Sequence, residues 1–163
     1  MSKKTHTNNS GFTIVESMIA IGLILVGLVG VITLINRSLG FSSLAFNKLV
    51  SSNLAQEGVE IVRNIRDTNW INHQAWDAGL PDGTYQADYS SKSLDLYTDL
   101  ALLFDDTTGL YGYNAGSDTI YKRKIELNHI SPEELQVKIT ISWIGRGGGS
   151  FDTVVEDHLF NWF

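Results

Sequence analysis

The sequence predicts an α+β fold in which one long N-terminal helix packs on a small antiparallel β-sheet. Three observations predict it. The stretch from Phe12 to Ile35 is an almost unbroken apolar run whose only ionisable side chain is Glu16. The stretch from 36 to 67 keeps a helical pattern but becomes amphipathic, and the remaining residues form short alternating segments separated by turn residues. We therefore expect four parts: a leader at 1–11, a membrane-spanning helix at 12–35, an amphipathic continuation at 36–67 and a β-rich head domain at 68–163.

The apolar stretch is long enough to cross a membrane. As a helix it would rise roughly 36 Å at about 1.5 Å per residue, which exceeds a hydrocarbon core of about 30 Å. Glu16 is its only ionisable side chain. Burying a lone carboxylate costs about 2.5 to 3.5 kcal/mol at the bilayer centre and less near its edge. A charge at this position therefore requires a partner.

The residues before the span suggest that partner. Lys3 and Lys4 are the only lysines or arginines before Gly11 and no acid accompanies them, so the leader is expected to remain in the cytoplasm while the head is exported. A cut after Gly11 would give Phe12 a free amine, which is mostly cationic near neutral pH. In a neighbouring, staggered subunit this amine could neutralise Glu16.

A basic leader ending in Gly11, followed by Phe12, Thr13 and Glu16 and a long apolar run, resembles the class III signal of type IV pilins and of the pseudopilins of type II secretion and competence systems. The resemblance implies a pilin-like fold, cleavage after Gly11 by a prepilin peptidase, N-methylation of Phe12 and assembly roles for Thr13 and Glu16. It also implies other pilins and an assembly platform as partners, and no enzymatic activity. An ordinary signal peptide would have a shorter apolar run, and a plain uncleaved anchor leaves Glu16 unexplained.

The second half of the helix is expected to bury one side against the head. The positions assigned to the buried side recur every three or four residues: Phe46, Val50, Leu54, Gly58, Ile61, Val62 and Ile65. The other side is assigned Ser51, Ser52, Asn53, Glu57, Glu60 and Arg63. The segments 55–64 and 66–70 resemble the PilV-type minor pilins and the minor pseudopilin I. A purely structural interpretation also accounts for them, with Gly58 admitting the sheet and Glu60 pairing with Arg63.

Beyond the helix, turn residues separate several candidate strands. The strongest are Ile120 to Asn128, with Tyr121, Arg123, Ile125 and Leu127 on one face, and Leu135 to Trp143, which alternates throughout. Weaker strands are expected at 84–89 and 151–155, the segment 100–104 is ambiguous between strand and helical turn, and 105–117 is mostly loop. The glycine-rich segment 145–150 favours a hairpin turn over a phosphate-binding loop, because no Lys-Ser/Thr pair follows. The aromatic tail 157–163 is expected to pack on the head.

Composition excludes several functions. The chain has 12 Lys and Arg against 18 Asp and Glu, and loss of Lys3 and Lys4 would change its formal charge from −6 to −8, which disfavours general binding to DNA. It has no cysteine, so no disulfide can form. The four histidines (His6, His73, His129 and His158) lack the spacing of a zinc site, and no cofactor is expected. Bound calcium near Asp105, Asp106 and Asp118 is a weaker alternative.

The function that follows is a structural minor pilin or pseudopilin subunit. It would be a single-pass protein of the cytoplasmic membrane before assembly and part of a cell-surface or periplasmic filament afterwards. One alternative is an adhesin or ligand-binding tip subunit, with Trp70, Trp76 and the aromatic segment 111–113 forming an exposed contact patch. A membrane-tethered enzyme is disfavoured because no catalytic motif appears. Direct contact with DNA would require a local basic patch at Lys122, Arg123 and Lys124.

Overall fold

The α+β fold is confirmed in a computed structural model, which describes residue 11 and residues 13–161. One helix, α1 (Ile14–Ile71), precedes seven strands. The chain divides into two compact units, Met1–Ser42 and Ser43–Phe163, which are described separately below as the N-terminal unit and the head unit. The head unit contains the second half of α1 and the whole sheet.

In the N-terminal unit the apolar stretch is helical, as predicted, and its side chains are exposed. Over an 18-residue window α1 is apolar and long enough to cross a membrane, and none of that window is buried. A helix that is apolar on all sides requires lipid or other protein around it. The helix ends at Ile71, four residues beyond the predicted end at Asp67.

In the head unit α1 buries one face against the sheet. Its buried apolar residues are Leu54, Ala55, Val59, Ile61, Val62 and Ile65, with Gly58 between them. The predicted pattern was wrong at two positions. Phe46 is 64% exposed, and Ser51 is fully buried because its hydroxyl shares a 2.8 Å hydrogen bond with the hydroxyl of Thr153. This bond satisfies a polar group that would otherwise be costly to bury.

The strands form one antiparallel sheet. They are β1 (Gly83–Gln86), β2 (Asp95–Leu96), β3 (Ala101–Asp105), β4 (Leu110–Gly112), β5 (Ser117–Ser131), β6 (Glu134–Ile144) and β7 (Ser150–Phe160). On one side β5 pairs with β6, which pairs with β7; on the other side it pairs with β1 and β3, and these pair with β2 and β4 respectively. Among the described residues β7 has no strand on its outer side.

The two strongest strand predictions are confirmed by β5 and β6, including the buried face that contains Ile125 and Ile139. The ambiguous segment 100–104 lies mostly in β3, and the predicted loop at 105–117 contains β4. The strand expected at 84–89 is shorter, β7 extends well past 155, and β2 was not predicted. The predicted packing of the tail falls partly on residues 162–163, which lie outside the described residues.

Gly58 lets the helix approach the sheet, as the structural interpretation of the segment 55–64 predicts. A Cβ atom at this position would lie 2.9 Å from Cγ2 of Ile139, closer than carbon atoms normally pack. The companion prediction is confirmed too, since Arg63 pairs with Glu60 and also with Asp157 on β7 at 2.8 Å. Glycine at 58 is therefore required by packing between α1 and β6.

We expect Gly58→Ala to destabilise the protein by about 1 to 2 kcal/mol, because overpacking costs about 1 to 3 kcal/mol and the better helix propensity of alanine offsets up to about 1. Urea unfolding followed by tryptophan fluorescence would measure the change. Gly40→Ala is the matched control, since a Cβ there meets nothing within 4 Å, and it should cause no loss. Equal stability of Gly58→Ala and the unsubstituted protein would contradict the close approach.

Candidate functional site

The predicted cleavage point lies just before α1. Gly11 is exposed and has no regular secondary structure, and a Cβ atom built on it meets nothing within 4 Å. The helix begins three residues later, at Ile14. Residues 1–10 and Phe12, which carry the predicted leader and the predicted methylated amine, lie outside the described residues. The cut would therefore follow an exposed glycine that lies three residues ahead of the helix.

Thr13 caps the N-terminus of the helix. Its hydroxyl oxygen accepts a hydrogen bond from the backbone N–H of Glu16 at 3.2 Å, and its carbonyl oxygen accepts one from the N–H of Ser17 at 3.1 Å. Threonine is a favoured residue at this position because its side chain satisfies an N–H that has no partner within the helix. The Thr-x-x-Glu spacing of residues 13–16 is a sequence signature of such a cap, so this role of Thr13 can be recognised from the sequence.

Glu16 lies in the first turn of α1 with its side chain exposed. The partial positive charge at a helix N-terminus favours a carboxylate there. Its neighbours are exposed and apolar: Ile14 is 81% exposed and Ile19 is 60% exposed. Within residue 11 and residues 13–161, no basic side chain forms an ion pair with Glu16. The structure thus presents a carboxylate on an apolar helix surface, open to a cation from outside the described segment.

The aromatic patch expected for an adhesin does not form as predicted. Trp76 is only 7% exposed and belongs to the hydrophobic core, with its ring edge-on to His129 at 6.1 Å between centroids. Trp70 and Tyr113 are half-buried and pack against the same core. Burial raises the pKa of Tyr113 to about 12. These rings fill a small core, which a list of aromatic residues cannot distinguish from a binding surface.

The local basic patch that direct contact with DNA would require at Lys122, Arg123 and Lys124 does not form. Arg123 is fully buried; its Nη1 donates to the carbonyl oxygen of Ala87 at 3.0 Å, and its Nη2 lies 3.0 Å from Oε1 of Glu57. Lys122 pairs with Asp99 at 2.7 Å and Lys124 with Glu126 at 3.1 Å. Strand alternation explains the result, because Arg123 faces the core while its two neighbours face solvent.

Asp105, one of the three acidic residues considered for calcium, serves local structure. The carboxylate of Asp105 accepts hydrogen bonds from the N–H of Thr107 at 2.8 Å and the hydroxyl of Thr108 at 2.9 Å, and these bonds lower the pKa of Asp105. Across the described residues, no group of three or more His, Cys, Asp or Glu side chains is arranged to hold a metal ion. The calcium hypothesis stays an untested prediction.

Comparison with known proteins identifies the N-terminal segment. Residues 6–32 match the family model of the prokaryotic N-terminal methylation motif, and this match contains the predicted cleavage point, Thr13, Glu16 and much of the apolar helix. No significant match was found among curated proteins or among solved structures. The motif and the apolar helix beside it indicate a type IV pilin-like protein that is processed as a prepilin.

Proposed function

We propose that this chain is a structural minor pilin or pseudopilin, a non-enzymatic subunit that a prepilin peptidase matures and that its N-terminal helix assembles into a filament. The observation that carries the proposal is the lone Glu16 carboxylate, held in the first turn of an exposed apolar helix shortly after the exposed Gly11. The methylation motif covers both features.

Maturation comes first in this proposal. The apolar helix inserts into the cytoplasmic membrane with the basic leader inside and the head exported. The peptidase cuts after Gly11 and the amine of Phe12 is methylated. Because Thr13 caps the helix by itself, through its hydroxyl and carbonyl groups, removal of residues 1–11 leaves the hydrogen bonds that start the helix in place.

Assembly then compensates the free-energy cost of removing the Glu16 carboxylate from water. Between packed helices the carboxylate is removed from water, and a cationic Phe12 amine of an adjacent subunit compensates its charge. Packing of the apolar residues around it stabilises the contact between helices but does not fix their relative axial position, whereas the ion pair selects one axial stagger. Stability and register thus come from different residues of the same helix. The assembly platform acts on a subunit that already has both sets of residues.

The head supplies the contacts that are specific to this subunit. We propose that it is a subunit of the PilV type or of the minor pseudopilin I type, because the segments 55–64 and 66–70 resemble those proteins. In this chain Gly58 lets β6 approach α1, and Glu60 pairs with Arg63.

The proposal predicts the N-terminus of the native protein. Intact-mass and peptide spectra should show a chain that begins at Phe12 and carries one added methyl group. Gly11→Leu should accumulate as uncut precursor in the membrane, because a bulky residue replaces glycine at the cleavage point. Gly40→Leu is the matched control and should mature normally, since the space around Gly40 is open. A native protein that keeps Met1, or efficient maturation of Gly11→Leu, would contradict the proposal.

A further inference from the structure

Strand β7 forms a long and regular edge of the sheet. It pairs with β6 at all eleven of its positions without a register shift, and among the described residues no strand lies on its other side. Strands β2 and β4 also lie at edges of this sheet, but they have only two and three residues. The backbone that β7 leaves open to a further strand is therefore much longer than that of β2 or β4.

Two hydrogen bonds show which backbone groups of β7 point outward. At one end of the β6–β7 ladder the N–H of Gly145 donates to the carbonyl oxygen of Gly149 at 2.9 Å. At the other end the N–H of Asn161 donates to the carbonyl oxygen of Glu133 at 3.0 Å, so both bonds join odd-numbered residues. Residues of an antiparallel ladder alternate between bonding to the neighbouring strand and pointing away from it. The even-numbered residues of 152–158 thus direct their N–H and carbonyl groups away from β6.

The side of β7 that faces α1 is only partly covered. In β6, Ile139 and Ile141 are fully buried, whereas their partners in β7, Val155 and Thr153, are half-buried. The helix therefore covers β6 more completely than it covers β7. A further strand beside β7 would bury apolar surface at Val155 as well as pair with the open backbone.

The opposite face of this edge is acidic. β7 contains three carboxylates and no lysine or arginine. Two of the carboxylates, those of Asp152 and Glu156, are exposed on the face turned away from α1, and Asp152 forms no ion pair within the described residues. Glu156 lies 3.3 Å from a ring nitrogen of His158 and stands opposite Lys138 of β6 without forming an ion pair with it. We call residues 152–158, with their outward backbone groups, the acidic edge.

We propose that the acidic edge is a docking site for an extended segment of another protein, with Lys or Arg at two positions four residues apart and an apolar residue midway between them. Its backbone would pair with the outward groups of β7. Its basic side chains would lie opposite Asp152 and Glu156, and its apolar side chain opposite Val154. A second copy of β7 suits this edge less well, because it brings three more carboxylates and no lysine or arginine. The inference goes beyond the proposed function, since it concerns the head unit and does not depend on filament assembly.

Peptide binding to the full-length protein in detergent tests the role of charge. The probe is a fluorescent nine-residue peptide of threonine with lysine at its third and seventh positions and valine at its fifth, and fluorescence anisotropy measures its Kd. Asp152→Lys with Glu156→Lys should weaken binding at least about tenfold, because two attractive cross-strand pairs become repulsive. A peptide with glutamate in place of lysine should prefer this variant. Asp106→Lys with Asp118→Lys is the matched control, because it changes the net charge equally at exposed positions outside β7, and it should bind the lysine peptide nearly normally.

Backbone pairing is tested separately from charge. N-methylation of the two lysines and the valine of the peptide removes the N–H groups that would pair with β7 and keeps every side chain. We expect it to weaken binding at least about tenfold, whereas N-methylation of the threonines between them should have little effect, because their N–H groups point away from β7. Val154→Pro should also weaken binding, since it removes an outward N–H of β7 and no bond to β6.

Photo-cross-linking in cells identifies the natural occupant. With p-benzoylphenylalanine at position 154, mass spectrometry should find an adduct to another protein within a segment that has the basic pattern. Asn128 is the control position, because it is exposed on the same face of the sheet, two strands further in.

Four results would overturn the inference: a lysine peptide that binds no better than the glutamate peptide, N-methylation of the lysines and valine without effect, an adduct at 154 no stronger than at 128, or an adduct to β7 of a second copy. Each of them leaves the proposed maturation and filament assembly untouched.

Discussion

Glu16→Gln is expected to reduce incorporation into sheared filaments by at least about tenfold while leaving maturation largely intact. The substitution keeps the size of the side chain and removes the charge that would pair with the Phe12 amine of a neighbour. In the variant the Phe12 amine of the neighbour would lose its counter-ion; an unpaired charge at the bilayer centre costs about 2.5 to 3.5 kcal/mol, and every 1.4 kcal/mol is about a factor of ten. The ratio of subunit in filaments to subunit in membranes, measured by quantitative immunoblotting, reports the change.

Glu60→Gln is the control for this experiment. It removes a carboxylate from the same helix at an exposed position, where an ion pair contributes about 1 kcal/mol or less. It should therefore assemble normally. Filaments that contain Glu16→Gln at the level of the unsubstituted subunit would show that the carboxylate does not set the stagger.

Glu57→Gln is expected to destabilise the protein by about 3 kcal/mol. The guanidinium of Arg123 is fully buried, and its Nη2 lies 3.0 Å from the Glu57 carboxylate, which is one-third exposed. Removal of the carboxylate leaves a buried positive charge that keeps only its hydrogen bond to the carbonyl oxygen of Ala87. Breaking one side of a buried pair typically costs about 3 to 5 kcal/mol, and the partial exposure of Glu57 favours the lower value. Urea unfolding of the full-length protein in detergent would measure it.

The double variant Glu57→Leu with Arg123→Met separates the charge from the packing. Both charges disappear together and apolar side chains of similar length remain, so its stability should lie within about 1 kcal/mol of the unsubstituted protein. Two results would show that the charge pair does not stabilise the head unit. One is an unchanged stability of Glu57→Gln, and the other is a double variant that is less stable than Glu57→Gln.

Strand alternation explains why β5 and β6 could be predicted and why Arg123 could not be interpreted. A period of two places every second residue on the core face, and this is enough to bury Ile125 and Ile139. It also places Arg123 there, but the carboxylate that makes this tolerable comes from α1, far away in the sequence. Pairings between distant segments are set by the fold, and no local pattern encodes them.

The helical pattern failed for a different reason at Phe46 and Ser51. A spacing of three or four residues does not fix how wide the buried face of a helix is, so it could not show that Phe46, which is 64% exposed, lies outside that face. Ser51 was assigned to solvent because it is polar, but its hydroxyl is satisfied when buried, by the hydroxyl of Thr153 and by the carbonyl oxygen of Lys48. At the candidate site, by contrast, Gly11, Thr13 and Glu16 are neighbours in sequence and could be recognised together.

The outer edge of β7 affects how subunits could behave in the membrane before they assemble. Until a filament grows, copies would accumulate side by side, and an eleven-residue strand with no strand on its outer side among the described residues could let the heads join edge to edge. Asp152 and Glu156, both exposed, give this edge the same negative charge in every copy. Repulsion between these edges would then keep unassembled subunits apart in the membrane. Subunits would associate through their N-terminal helices and not by aggregation of their head units.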